Sequence, residues 1–272
     1  MYADLHLHTH CSDGRDAPGA VVAALARTGL AALAITDHDT FAGVEAAQQA
    51  ATQAGLKFCT GVELSVTVDG TGVHLLAYGC APQHPAMQAH LDAYRTTRET
   101  RLHAILERLN AHDIPLTMDD VRAATTPVPD VWGRPHVARA LVAGGWVATE
   151  DDAFREWLRE GRPAYVANPG VPAAGALERV HAAGGVGVLA HPGHWTSTAT
   201  IQALIDAGLD GLEVMHPSHE PYLVRYYRQL ADRHGLLQTG GSDDHGEPAH
   251  EARRGRYGIS RQHWERLCEA IA

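Results

Sequence analysis

Histidines and carboxylates recur along this chain in short motifs whose spacing suits metal coordination. The opening stretch MYADLHLHTHCSDG sets His6 and His8 two apart, with His10, Cys11 and Asp13 following at once. Residues two apart on a strand point to the same face, so His6 and His8 can grip one ion together. Further along, TDHDT supplies Asp37, His38 and Asp39, GVELS supplies Glu63, GVHLL supplies His74, and LAHPG supplies His191. MHPSHE carries His216 and His219, and GSDDH brings Asp243 and His245, again two apart. The chain holds 19 histidines, and they sit at the ends of apolar runs rather than in one tract, which argues against a tag. Imidazole and carboxylate without cysteine suit Zn²⁺, Mn²⁺ or Fe²⁺. Glu63 stands between Val62 and Leu64, a setting in which a carboxylate needs a partner or an ion. Other positions have plainer readings. His90, His103 and His112 read as packing or surface residues of a helix, Cys11 as passive, and His10 as either a support for the site or surface.

These residues need a scaffold that brings strand ends together. Alternation in ADLHLH reads as a first strand, and Pro18 as the start of a helix carrying Val21, Val22, Leu25 and Leu30. LAALAIT reads as a buried strand, residues 41–55 as a helix, and KFCTGVELSV and GVHLLAYG as strands joined at Asp69-Gly70. Residues 85–112, 133–144 and 150–160 read as helices, interrupted by Pro127, Pro129 and Pro163. From about residue 174 the strand–helix rhythm resumes, with strands at VGVLAHP, LDGLEVMHPS and GLLQTGGSDDH and helices at 221–234 and 261–271. Such alternation implies a parallel sheet covered by helices, as a barrel or a doubly wound open sheet. In either, residues at the carboxyl ends of the strands meet around one mouth.

Composition narrows the function classes. The 272 residues carry a net charge of −10, from 22 Lys+Arg against 32 Asp+Glu, which gives no basic face for duplex nucleic acid. No apolar run reaches the ~18 residues of a membrane span, and no signal peptide is expected. Cys11, Cys59, Cys80 and Cys268 form no CxxC pair, so a cytoplasmic location is expected. No GxGxxG follows the first strand, so a dinucleotide site has no support. The sequence carries no signal of oligomeric state.

Taken together, HLHTHCSDG, TDHDT, GVELS, the isolated His74, LAHPG and GSDDH resemble the successive motifs of the PHP family, named for polymerases and histidinol phosphatase. The resemblance covers about residues 1–79 and 174–250. It implies an α/β fold, a distorted (β/α)7 barrel of PHP type over 1–84 and 164–272. A mostly helical insertion at 85–163 would contribute to substrate binding. It also implies two or three divalent ions, with Mn²⁺ expected and Zn²⁺ or Fe²⁺ as alternatives. By the same resemblance His6, His8 and Asp243 hold one ion, Glu63 bridges it to a second completed by His74 and His191, and Asp13, His38 and His245 hold a third. Some relatives carry histidine where this chain has Asp13, which lowers the net charge of the site. Asp37 and Asp39 are expected to orient ligating imidazoles.

Such ions activate water and neutralise phosphoryl charge, so phosphoester hydrolysis by a metal-bridging hydroxide is the expected reaction. Proton handling falls to His191, Asp243 or His216, with His216 the expected acid toward the leaving oxygen. In the insertion, WGRPHVARAL places Arg134 and His136 at a helix start, where a phosphate is favoured. HPSHEPYLVRYY adds His219 and Arg225 as further contacts for a phosphate or ribose. GRPHVARAL after a helical insertion resembles the branch that removes the 3′-phosphate of nucleoside 3′,5′-bisphosphates, some relatives of which trim short RNA from its 5′ end. The expected partner is therefore a phosphorylated nucleotide or short single-stranded RNA. Histidinol phosphate is the metabolic alternative, and a noncatalytic interaction module the non-enzyme one.

Overall fold

The computed structural model describes residues 1–168, 170–247 and 252–272. Strand β1 (Ala3–Asp4) leads through helix α1 (Pro18–Ala26) to β2 (Ala32–Ile35), and α2 (Val44–Gln53) leads to β3 (Lys57–Val68). These three strands are parallel. α1 is shorter than its sequence pattern: Gly29, at φ 80, turns the chain out of the helix, so Leu30 is buried beyond its end.

β3 turns back at once into β4 (Thr71–Tyr78) through Asp69 (φ 48) and Gly70 (φ 79). Two positive φ angles make the tight hairpin turn that Asp-Gly favours. A two-residue turn can join only antiparallel strands. β4 is antiparallel both to β3 and to β6 (Val186–Leu189), so the sheet is mixed rather than wholly parallel.

Helices α3 (Pro85–Asn110), α4 (Met118–Ala123), α5 (Arg134–Ala143) and α6 (Glu150–Ala153) follow β4, and α6 runs into a π-helical turn at Phe154–Leu158. They enclose an apolar cluster of their own that includes Leu102, Leu109, Val121, Val137, Leu141 and Leu158. The short β5 (Val171–Pro172) pairs with β3, and α7 (Ala173–Ala182) precedes β6. Then α8 (Thr198–Asp206), β7 (Gly211–Met215), α9 (Pro221–His234), β8 (Leu237–Gly240) and α10 (Arg261–Ala270) complete the chain, with β6, β7 and β8 parallel. No helix among the described residues is long and apolar enough to cross a membrane.

The sheet runs β1-β2-β3-β4-β6-β7-β8 and nearly closes into a barrel. At the seam, Leu5 N–H donates to Gly240 O (3.1 Å), Asp243 N–H to His6 O (2.9 Å) and His8 N–H to Asp244 O (3.0 Å). Period-two alternation sorts the strands. Val62, Leu64 and Val66 of β3 pack against Ala176, Leu177 and Val180 of α7. Glu63 and Ser65 point to the other face, away from that cluster. Below the site, Leu5, Ala34, Leu76, Tyr78 and Val188 form a cluster capped by Trp264 and Leu267 of α10.

Candidate metal centre

The strand ends deliver the expected side chains to one place. His6 and His8 follow β1, His38 follows β2, Glu63 lies in β3, His74 in β4, His191 follows β6, and Asp243 and His245 follow β8. Four groups of ligand atoms each lie within 4.8 Å of one another: His8 with Asp13, His38 and His245; His6 with His216 and Asp243; His6 with His8 and Glu63; and His38 with Glu63 and His74. Glu63 is the hub. Its Oε2 lies 3.2 Å from His6 Nε2, His8 Nε2 and His38 Nδ1, and its Oε1 lies 2.8 Å from His74 Nδ1 and 2.9 Å from His191 Nε2. Asp243 Oδ1 lies 3.4 Å from His6 Nε2 and 3.2 Å from His8 Nε2. Asp13 stands 3.7 Å from His38 Nε2 and 3.4 Å from His245 Nε2.

The backbone accommodates this crowding at specific points. A Cβ on Gly241 would overlap the backbone and Cβ of His6. His191 (φ 26) and Asp243 (φ 50) adopt left-handed conformations, which cost ~1–3 kcal/mol each unless the surroundings hold them. Among titratable groups, burial opposes charge on Asp13, Glu63 and Asp243. The neighbouring imidazoles nevertheless hold all three carboxyls well below the usual range, His38 most strongly for Asp13 and Glu63, and His6 for Asp243. Burial lowers His38 to about 3. It also opposes charge on His8, but hydrogen bonding to Asp243 and Glu63 lifts that group to about 10. Ionised carboxylates thus draw positive charge into the cluster, and a metal ion competes there with protons.

The residues fit a divalent metal. His8 Nδ1 is buried without a hydrogen-bond partner, a costly state for a polar atom unless it has another use, and its nearest carboxylate oxygen, Asp13 Oδ1, stands off at 3.7 Å. The donor set is nitrogen and oxygen only, arranged around shared carboxylates. His245 Nδ1 faces Asp243 O at 3.0 Å, which places the proton on Nδ1 and leaves Nε2 free toward Asp13.

His216 differs from the others. Its Nδ1 accepts from Ser218 N–H (3.1 Å) and lies 2.7 Å from Ser218 Oγ, whose hydroxyl can donate to it as well; in the neutral ring this arrangement puts the proton on Nε2, 3.3 Å from Asp243 Oδ2. It therefore presents a donor to the cluster rather than a lone pair.

Several expected contacts lie elsewhere. Among the described residues Asp37 hydrogen-bonds to no imidazole: it accepts from Thr9 N–H (2.7 Å), Thr9 Oγ1–H (2.7 Å) and Ser12 Oγ–H (2.6 Å), pinning the loop before Asp13. Asp39 accepts from Ser65 N–H (2.8 Å), Ser65 Oγ–H (2.9 Å) and Arg98 Nε–H (2.8 Å). His136 is buried, and both ring nitrogens are engaged by the chain itself: Nδ1 accepts from Gly133 N–H (2.9 Å) and Nε2 donates to Ser12 O (3.0 Å). His219 Nε2 accepts from Gly193 N–H (3.1 Å) and its Nδ1 donates to Val214 O (3.0 Å). Arg225 is exposed on α9. Among the described residues, His10 and Cys11 belong to none of these four groups.

Arg134 lines a cavity of about 530 Å³ that opens onto Asp13, His38 and His74 and also holds Arg98 and Arg101. Arg98 pairs with Asp39 at 2.6 Å. Among the described residues neither Arg101 nor Arg134 has a carboxylate partner; Arg101 Nε–H donates to Val166 O (2.9 Å), and Arg134 Nη1–H to Leu158 O (3.3 Å). Burial, then the nearby Arg134 and Arg98, lower Arg101 to about 10. Cations crowded in this way favour an anion between them. Arg98 and Arg101 escaped the sequence reading, although their spacing of three on one helix puts them on one face. Glu213 escaped it too, although GLEVM encloses it in apolar neighbours as GVELS encloses Glu63.

The comparisons with known proteins agree with this geometry. The PHP domain profile matches residues 4–117. A 3′,5′-nucleoside bisphosphate phosphatase of Chromobacterium violaceum is 35% identical over 247 residues, covering 89% of this chain and 86% of that protein. A 5′-3′ exoribonuclease of Haemophilus influenzae is 32% identical, covering 89% of each chain. A solved structure from Bifidobacterium adolescentis superposes with a TM-score of 0.90 at 33% identity, covering 99% of this chain and 96% of that one.

Proposed function

The chain belongs to the PHP family of metal-dependent phosphoesterases, and from that premise we propose that it removes the 3′-phosphate of nucleoside 3′,5′-bisphosphates, converting adenosine 3′,5′-bisphosphate to AMP and phosphate. The observation that carries this reading is the cavity that joins the metal cluster to Arg101 and Arg134, which have no carboxylate partner among the described residues. It offers two anion sites in one space, as a substrate with two phosphates requires. Histidinol phosphate has one phosphate and would bring these arginines no anion.

His6, His8, Glu63, His74, His191 and Asp243 would hold two divalent ions, and Asp13, His38 and His245 a third, with Mn²⁺ expected and Zn²⁺ or Fe²⁺ as alternatives. Bound there, such ions activate water and neutralise charge on the phosphoryl oxygens. The chain's own groups supply the rest. Arg101 and Arg134 hold the second phosphate by charge-assisted hydrogen bonds. Arg98, tied to Asp39 and Ser65, keeps that wall of the cavity in place. His216 keeps a proton on Nε2 beside Asp243 and gives it to the leaving 3′-oxygen.

The reading is tested with Mn²⁺ supplied, by phosphate release from adenosine 3′,5′-bisphosphate and from histidinol phosphate and by mononucleotide release from a 5′-phosphorylated oligoribonucleotide. Preference for the bisphosphate is expected. No release from it, with turnover of either rival, would overturn the assignment. Similarity to the Haemophilus influenzae exoribonuclease makes the oligoribonucleotide the second reading.

A further inference from the structure

Glu213 lies in the middle of β7 and is wholly buried. A carboxylate in that position is costly unless both oxygens find donors. One accepts from His6 Nδ1–H at 3.0 Å, and the other from the backbone N–H of His191 at 2.7 Å. These donors come from opposite parts of the chain, and on the reading above they serve neighbouring ions.

The first contact selects a tautomer. With Nδ1–H held by Glu213, Nε2 is the nitrogen that His6 turns toward Glu63 Oε2 (3.2 Å) and Asp243 Oδ1 (3.4 Å), where it can offer its lone pair to an ion in place of a proton. The second contact holds the His191 backbone at φ 26, a strained angle for a residue with a side chain. From that backbone, His191 Nε2 reaches to 2.9 Å from Glu63 Oε1. The β7–β8 ladder has a register shift between Glu213 and Met215, a kind of irregularity that re-aims side chains next to sites.

We propose that Glu213 is a positioning residue for the metal cluster: one carboxylate locks the tautomer of His6 and the backbone of His191, and so fixes ligands of two adjacent ions together. The inference rests on the reading that the cluster binds divalent metal.

Glu213→Gln tests it. The side chain keeps its shape but has one acceptor oxygen, and its NH₂ group must face a second N–H donor. Mn²⁺ is titrated into metal-stripped wild-type and E213Q protein, with ions counted by elemental analysis and the His6 tautomer read from ¹⁵N NMR. Wild type should show His6 protonated on Nδ1. E213Q should bind at least one ion about 10- to 100-fold more weakly and lose the single tautomer. Unchanged affinity, stoichiometry and tautomer in E213Q overturn the proposal. Failure of wild type to take up any Mn²⁺ overturns the metal reading instead. If E213Q does not fold, Glu213→Asp, which retains charge but withdraws the oxygens, enters the same titration. Weaker binding is again expected, and wild-type uptake again overturns the role.

Discussion

At the scale of single residues, the protons on histidine nitrogens decide who binds metal and who moves a proton. His216 stands within the ligand cluster, yet its hydrogen bond from Ser218 N–H leaves it a donor toward Asp243. His216→Ala should therefore lower turnover by about 10²- to 10⁴-fold while leaving the number of bound ions unchanged. Loss of an ion in elemental analysis would make His216 a ligand and remove it as the acid. Arg101 separates along a different axis. Arg101→Ala should raise KM for the bisphosphate by about 10- to 100-fold, the loss of one charge-assisted hydrogen bond. Hydrolysis of p-nitrophenyl phosphate, which has no second phosphate, should keep its KM. An equal effect on both substrates would place Arg101 outside the second anion site.

At the scale of elements, α5 is fastened to the loop that carries Asp13 by the His136 imidazole and by Arg139, which donates to Asp13 O. His136 links Gly133, at the start of the helix, to Ser12, the neighbour of Asp13. Burial holds His136 down to about 4, below its ordinary value of 6.5. The unfolded chain therefore binds a proton at higher pH than the folded one, and this residue's contribution to stability is lost as pH falls from about 6.5 toward 4. His136→Ala should lower stability at neutral pH by about 1–3 kcal/mol, since it orphans a buried carbonyl and amide. It should also flatten the loss of stability over that pH range, as measured by thermal melts. A variant with the same slope as wild type would mean that His136 does not carry this dependence.

Most elements were legible because their signals are local. The Asp69-Gly70 turn, the helix from Pro221 to His234 and the alternation around Glu63 all follow from neighbours in sequence. The antiparallel setting of β4 against β6 was not legible, because it depends on where the chain returns after the helical insertion. The same limit explains the substrate side. Arg134 stands at its helix start as the sequence suggests, but Asp37, Asp39, His136 and His219 are held by backbone and hydroxyl groups, and Asp39 also by the Arg98 guanidinium, which only the tertiary fold brings near.

At the scale of the whole molecule, the ions and the fold support one another. Asp13, Glu63 and Asp243 come together as anions that the neighbouring imidazoles balance, and bound divalent cations would balance them in the imidazoles' place. Mn²⁺ at about 100 times its dissociation constant should stabilise the protein by roughly 2.7 kcal/mol. That corresponds to a rise in melting temperature of several degrees over metal-stripped protein. Identical melts with and without Mn²⁺ would mean that the ions bind the unfolded chain as well as the native one.

The barrel seam carries a consequence for the making of the protein. His6 and His8 follow the first strand, Asp243 and His245 follow the last, and the two edges meet through Asp243 N–H to His6 O. During translation, at about 5–20 residues per second, the first pair leaves the ribosome long before the second exists. Until Asp243 and His245 emerge, a nascent chain thus has an open-edged sheet and, on the proposed ligand assignment, an incomplete coordination set. Completion of the metal cluster would then wait on closure of the barrel.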